Sequence, residues 1–306
     1  MSHARPVITD RPSRLAILAA FAAIYLVWGS TYLAIRFAVE TLPPFLMTAV
    51  RFLIAGALMY AWARARGAPR PTASNWIATA LVGTLMLAVG VGAVAWAEQS
   101  VPSGIAALIV AVGPLWMVLI DWLSFEGARP SSRVWAGIVL GFTGVALLVG
   151  PERLAGAGRI DVMGTVVIVV GTITWAYGSL YSRGTRLPSS ATLAAGMEMC
   201  TGAAVLLLFG TAVGEWSRLE LDGVSALSLA SVAYLAVFGS IVALGAYLWL
   251  LRVTTPARII THAYVNPAVA LLLGWSLADE PLNVRTLTAS AVIIAAVLII
   301  LGERRR

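Results

Sequence analysis

The sequence contains no lysine, a single cysteine (Cys200) and only two histidines, His3 and His262. One cysteine excludes an internal disulfide framework and a multi-cysteine metal site. Two distant histidines give neither a metal cluster nor a catalytic relay, so no cofactor is expected. Charge is scarce as well: Asp, Glu, Lys and Arg make up 11% of the 306 residues, against 60% apolar. A soluble domain averages about 25% charged and about 45–50% apolar, so this chain has too little polar surface to coat a globule in water. A P-loop and any polar stretch long enough for a nucleotide-binding domain are also missing, which argues against direct ATP drive.

What is present is apolar sequence in blocks of about 20 residues, the helical length that spans the roughly 30 Å hydrocarbon slab of a bilayer. Ten blocks are read: Leu15–Phe37, Pro44–Trp62, Trp76–Trp96, Gly104–Trp122, Val134–Val149, Val162–Tyr181, Thr192–Val213, Leu227–Leu251, Ile259–Leu277 and Leu287–Leu301. Pro or Gly marks most of the short joints between them. The first block is too long for a signal-peptide core and is expected to be retained. The expected fold is an all-α polytopic membrane protein with ten transmembrane helices.

The arginines orient it. Of the 21, only Arg153, Arg159, Arg218 and Arg285 fall in loops of one side; Arg36 and Arg51 lie within spans, and the other fifteen share the side of the amino terminus. Positive charge collects on the cytoplasmic side, so both termini are expected there, and the net charge of +7 reflects topology, with no nucleic-acid partner implied.

The two halves echo each other at an offset of about 150. Trp28-Gly29-Ser30-Thr31-Tyr32 is answered by Tyr177-Gly178-Ser179-Leu180-Tyr181, Leu42-Pro43 by Leu187-Pro188, Pro102 by Pro256, Gly113-Pro114 by Asn266-Pro267, Glu126 by Glu280 and Gly150 by Gly302. Five spans per half is an odd number, so the second half must lie upside down. The expected organisation is a cytoplasmic tail (1–14), a first repeat (15–150), an inverted second repeat (151–302) and a basic cytoplasmic tail (303–306). Inverted repeats are a common secondary-transporter architecture, with the cargo bound near the midplane between them.

From Trp28 to Gly302 the chain resembles the drug/metabolite transporter superfamily, in its group built from two five-helix EamA-type repeats. The resemblance is carried by Trp28-Gly29-Ser30, by Arg51, by Glu126 with Trp135, Gly137, Leu140, Gly144 and Val145, and by Ala278-Asp279-Glu280-Pro281-Leu282. After Glu280 the Trp and Gly positions are not kept; Thr286, Leu287 and Thr288 stand there. The resemblance implies a multi-pass protein of the plasma membrane (a bacterial inner membrane). It also implies export as the direction and, from the superfamily's amino-acid exporters, amino acids including aromatic ones as the first-choice cargo. Hydrophobic drugs or other neutral metabolites are the alternative. An intramembrane enzyme is disfavoured because no nucleophile, base or metal constellation lies in the spans.

Three signals mark a candidate site. Pro114 and Pro267, preceded by Gly113 and Asn266, interrupt two repeat-related spans at similar depth, where bent helices wall cavities or simply pack. Aromatic residues come next: Tyr25, Trp28 and Tyr32 share one face of the first span, and Trp96, Trp116, Trp175, Tyr177, Tyr181, Tyr247 and Trp249 add more. Trp28 and Trp175 are too deep to be interface anchors. Such rings suit an amphiphilic body and, through cation–π attraction, an ammonium. Tyr32 and Tyr181 stand where two gates would stand. Third are the intramembrane charges Arg51, Asp121 and Glu198, structural or coupling groups, and His262, one turn from Asn266. No lysine and no arginine pair lies at the midplane to clamp a phosphate, and no carboxylate cage exists for a metal ion. The expected partners are the lipid bilayer and a neutral or zwitterionic small molecule.

Overall fold

The computed structural model describes residues 13–125, 127, 129–149, 162–254, 256–259 and 261–303. Residues 1–12, Glu126, the 150–161 connection and Arg304 to Arg306, on which the tail, family-motif and repeat-boundary readings partly rest, lie outside the described residues.

Every described element is helical. In chain order these are α1 (Arg14–Ala38), α2 (Pro44–Ala65), α3 (Ala73–Ala97), α4 (Ser103–Ser124), α5 (Ser132–Val149), α6 (Val162–Tyr181), α7 (Ala191–Ala212), α8 (Ala226–Leu250), α9 (His262–Leu277) and α10 (Val284–Glu303). Among the described residues, seven of them (α1 to α4 and α6 to α8) are long and apolar enough to cross a membrane, and α5 and α10 contain shorter apolar stretches. The protein is a multi-pass membrane protein.

Local chemistry sets the helix ends. Ser13, Ser190 and Ser225 each accept a backbone N–H of the first turn they precede, and Thr72 and Asn75 form a reciprocal capping box at the start of α3. Pro44 opens α2 at the position where its missing N–H is harmless. The helices alternate in direction. One end of the bundle, the amino end, holds the start of α1 and the turns after α2, α4, α6 and α8. The far end holds the turns after α1, α3, α7 and α9.

Small residues set the closest approaches. A Cβ on Gly56 of α2 would lie 2.8 Å from the Gly196 carbonyl oxygen of α7, and one on Gly196 would lie 2.7 Å from Tyr60 N. Gly137 and Gly144 of α5 face Ile300 and Ile293 of α10, while Gly141 between them meets Leu115 of α4. These glycines form the scaffold by letting backbones touch. The main core fills the space among α4, α5 and α10 with Leu108, Ile109, Leu115, Ile293, Val297 and Ile300.

The pattern of packing has a regularity of its own. α1 packs on α8 and α9 as α6 packs on α3 and α4; α2 packs on α8 as α7 packs on α3; α2 pairs with α7, α4 with α9 and α5 with α10, while α10 also touches α4 with no contact of like extent between α5 and α9 among the described residues. α3 and α8 also share a π-helical insert, Thr84–Val91 in one and Leu235–Val242 in the other, eight residues each. Within the halves the likeness fails. α1 packs on α4 and α2 on α3, but among the described residues there is no contact of like extent between α6 and α9 or between α7 and α8.

Candidate functional site

Two left-handed residues organise the far end. Gly214 (φ 77°) ends α7 and turns the chain so that Glu215 reaches across to α2, accepting the N–H groups of Phe45 (3.2 Å) and Leu46 (2.8 Å). Asp279 (φ 52°) does the same after α9: Glu280 accepts the N–H groups of Ser103 (2.6 Å) and Gly104 (3.0 Å) at the start of α4. Each glutamate satisfies the orphan donors of a helix in the other half. A third tie joins α1 to α8: Thr41 donates to Ser228 Oγ (2.8 Å), and Ser228 donates to the Phe37 carbonyl (2.7 Å).

Beside these ties lies a buried charge cluster. Glu98, directly after α3, is 0% exposed, and both its carboxylate oxygens lack a hydrogen-bond partner. Arg51 of α2 is 6% exposed, has Nε and Nη1 unpartnered, and lies 4.5 Å over the ring of Phe52. Arg36 of α1 donates to the backbone carbonyl of Glu98 rather than to its carboxylate. Burial pushes the Glu98 carboxyl well above the usual carboxylate range; Glu280 adds to the shift, and Arg36 and Arg51 oppose it. Arg51 and Glu98 lie in the same buried cluster with no hydrogen bond between them. A loop glutamate such as Glu98 carries no sign in the sequence of being folded inward.

Near mid-depth, toward the amino end, the structure gathers one group of the expected aromatics. Trp28 of α1, Tyr247 of α8 and His262 of α9 form a cluster with ring centroids 5.4 Å (Trp28–Tyr247), 5.2 Å (Trp28–His262) and 6.1 Å (Tyr247–His262) apart. The Trp28 indole donates to the Gly239 carbonyl (3.1 Å), in the π segment of α8. Such segments leave carbonyls outside the regular helix ladder and recur at functional sites. A second π segment, Ala23–Val27, bends α1 here. The buried Asn266 amide faces the carbonyls of Ile24, Tyr25 and His262 at 3.2–3.3 Å, so its nitrogen is the atom turned toward them.

The other expected residues are distributed elsewhere. Tyr177 (39% exposed) stands against Phe125 at the end of α4, 5.4 Å between centroids, and Trp175 (38% exposed) lies over Gly90 of α3. Tyr181, the last residue of α6, is half-buried at the amino end of the bundle. Tyr32 and Trp96 pack on the main core, and Trp116 packs edge-on to Phe142 of α5 with its indole N–H buried and unpartnered. Glu198 is half-buried on α7, where Gly83 of α3 comes against its backbone carbonyl. The backbone carbonyl of Asp121 accepts Phe125 N and Gly127 N as α4 ends. The two prolines behave differently. α4 leaves the α-helix at 111–112 and restarts with Pro114 in its first turn, whereas α9 runs unbroken through Pro267. A restart tolerates proline because the first-turn N–H has no intrahelical acceptor.

A cavity of about 510 Å³ opens at the amino end, lined by Leu58, Met59 and Trp62 of α2, Thr192 of α7 and Ile241, Gly245, Leu248 and Trp249 of α8. Among the described residues, no group of three or more His, Cys, Asp or Glu is arranged to hold a metal ion.

The EamA-like transporter family matches residues 14–150 and 162–302, once in each half. The chain belongs to the EamA-like transporter family. It is 40% identical over 292 residues to the "uncharacterized inner membrane transporter YedA" of Escherichia coli (strain K12), covering 94% of this chain and 92% of that protein. It is 25% identical over 278 residues to "Protein PecM" of Dickeya dadantii, covering 90% and 88%. A crystal structure of a protein 22% identical superimposes with a TM-score of 0.60, over 96% of this chain and 99% of the other, and shows the shared fold. The chain is therefore a membrane transporter of the EamA family within the drug/metabolite transporter superfamily.

Proposed function

We propose that this transporter is a secondary exporter of small amphiphilic solutes, amino acids including aromatic ones first among them. It works by alternating access between two inverted five-helix repeats that together span the membrane ten times. The amino end is cytoplasmic, both termini lie there, and the membrane is the inner membrane, as the name of the YedA relative also has it.

The observation that carries this reading is the approximate exchange symmetry of the packing: swapping α1–α5 with α6–α10 preserves the larger cross-half pairs, and the π inserts of α3 and α8 correspond. Two similar units of opposite orientation give two states of similar energy, open to either side of one fixed site. The departures from symmetry share a direction: α1 holds α4 and α2 holds α3, while α6 and α9, and α7 and α8, stand apart. With the far-end ties made and the cavity at the amino end, the structure represents the cytoplasm-open state. Trp28, Tyr247 and His262 form the inner wall of the site, and Tyr177 and Trp175 belong to its other half.

The test is counterflow of labelled amino acids in proteoliposomes, paired with labelling of Ser182→Cys and Asp222→Cys in a Cys200→Ser background. Stimulated exchange of an aromatic amino acid, with the two cysteines reactive from opposite sides, is expected; same-side reactivity refutes the inverted repeat. The apolar cavity wall of Leu58, Met59, Ile241 and Leu248 favours hydrophobic drugs as the second reading.

A further inference from the structure

The Trp28–Tyr247–His262 cluster can be assigned the end of the cargo that it receives. His262 Nδ1 lies 2.8 Å from the Ile259 carbonyl, which can only accept, so Nδ1 carries the hydrogen and Nε2 of the neutral ring is a lone-pair acceptor. The Trp28 N–H is taken by the Gly239 carbonyl, so the indole offers its face and no donor. Among the described residues, Nε2 of His262 and the Tyr247 hydroxyl have no hydrogen-bond partner, yet they are not among the polar atoms sealed from solvent. Within the cluster itself no side chain is cationic and both ring N–H groups are already used, so an anion finds only the Tyr247 hydroxyl to donate to it. An ammonium meets aromatic faces and a free acceptor. Arg183, exposed in the turn after α6, stands at the same end of the bundle as Tyr247 near the end of α8, and its charge reaches the Tyr247 hydroxyl.

We infer that the cluster holds the ammonium end of the cargo, one N–H donating to His262 Nε2, and that Arg183 receives the carboxylate at the amino-end mouth. This rests on the amphiphile reading above and gives it a polarity: a zwitterion enters ammonium first, its charges separated along the helix axis. Desolvating an ammonium is costly unless its hydrogens find acceptors, so the acceptor decides which cargo gains by entering. Arg183, being exposed, contributes attraction and orientation more than depth of binding.

The test uses the full chain in proteoliposomes and three probes of one shape: L-phenylalanine, phenyllactate (hydroxyl for ammonium) and phenylalanine methyl ester (carboxylate masked). The readout is the ratio of counterflow rates, which does not depend on how much folded protein each variant yields. The wild type is expected to favour phenylalanine over phenyllactate by about tenfold or more, the size of one hydrogen bond to a charged group. His262→Leu is expected to shrink that ratio to below about threefold, while His262→Gln, which keeps an acceptor, retains most of it. Arg183→Gln is expected to remove the preference over the ester and leave the preference over phenyllactate. If His262→Leu slows all three probes by one common factor, His262 serves packing and the inference is overturned. If the wild type moves none of the three, the proposed cargo itself fails, and this inference fails with it.

Discussion

Glu280 fastens the far end of the bundle: its carboxylate accepts the Ser103 N–H at 2.6 Å and the Gly104 N–H at 3.0 Å, joining the turn after α9 to the start of α4. Hydrogen bonds to a charged group contribute about 1.5–3 kcal/mol each. Glu280→Ala is therefore expected to shift the protein toward far-end opening. In a Cys200→Ser background, Ser103→Cys, at a fully buried position, should react with a membrane-impermeant maleimide at least about tenfold faster when Glu280 is Ala. An unchanged rate would show that the tie is not a latch.

Glu98 makes that closure depend on pH. The groups facing it are Arg36 and Tyr32 of α1, Arg51 of α2 and Glu280. Closing the far end buries the carboxyl and raises its affinity for a proton. The closed end is therefore favoured fully below the ordinary carboxylate range, and that advantage fades as pH rises through the elevated value. Acidifying the far side should slow the maleimide reaction by more than the cysteine's own loss of thiolate, and Glu98→Gln should leave only that thiolate dependence.

The α2–α7 crossing tolerates no side chain. A Cβ on Gly56 meets the backbone of Gly196 and Cys200 at 2.8–2.9 Å, whereas one on Gly245, in the amino-end cavity, has nothing within 4 Å. Gly56→Val is expected to lower stability by at least about 1–3 kcal/mol, the cost of overpacking against atoms that cannot rotate away. Gly245→Ala is expected to leave stability level or slightly raised, since alanine is the better helix former. Thermal unfolding in detergent distinguishes the two.

Asn266 spends its amide on three carbonyls around the π segment of α1. Asn266→Leu strands those carbonyls and Asn266→Asp turns oxygen toward oxygen, so both should destabilise the fold by about 1–3 kcal/mol, the aspartate more as pH rises and it ionises. Equal thermal midpoints for wild type and both variants would show that the amide holds nothing.

Much of the fold can be read along the chain because a bilayer leaves so few choices. Block length, the joints at Pro43, Gly67 and Pro102, and the stripe Gly137, Gly141 and Gly144 each find their counterpart in the helices, and the stripe faces α10 and α4. The site was harder. Trp28, Tyr247 and His262 were already candidates, yet nothing in their spacing distinguished them from Trp116, which packs against Phe142. The likeness of Pro114 and Pro267 suggested two equal bends, and only α4 is interrupted. Glu215 and Glu280 sit in loops, and the left-handed turns at Gly214 and Asp279 are what bring them inward.

The residue order by itself determined where the apolar helices lie and that the family pattern occurs twice, because hydropathy and repeated motifs act locally and the membrane imposes one length on every segment. Tertiary structure alone decided which rings meet, which glutamate caps which helix and which end of the bundle carries the ties. Those outcomes depend on contacts between residues more than a hundred positions apart, and on the rotation of one helix against another, a quantity that periodicity along a single helix leaves free.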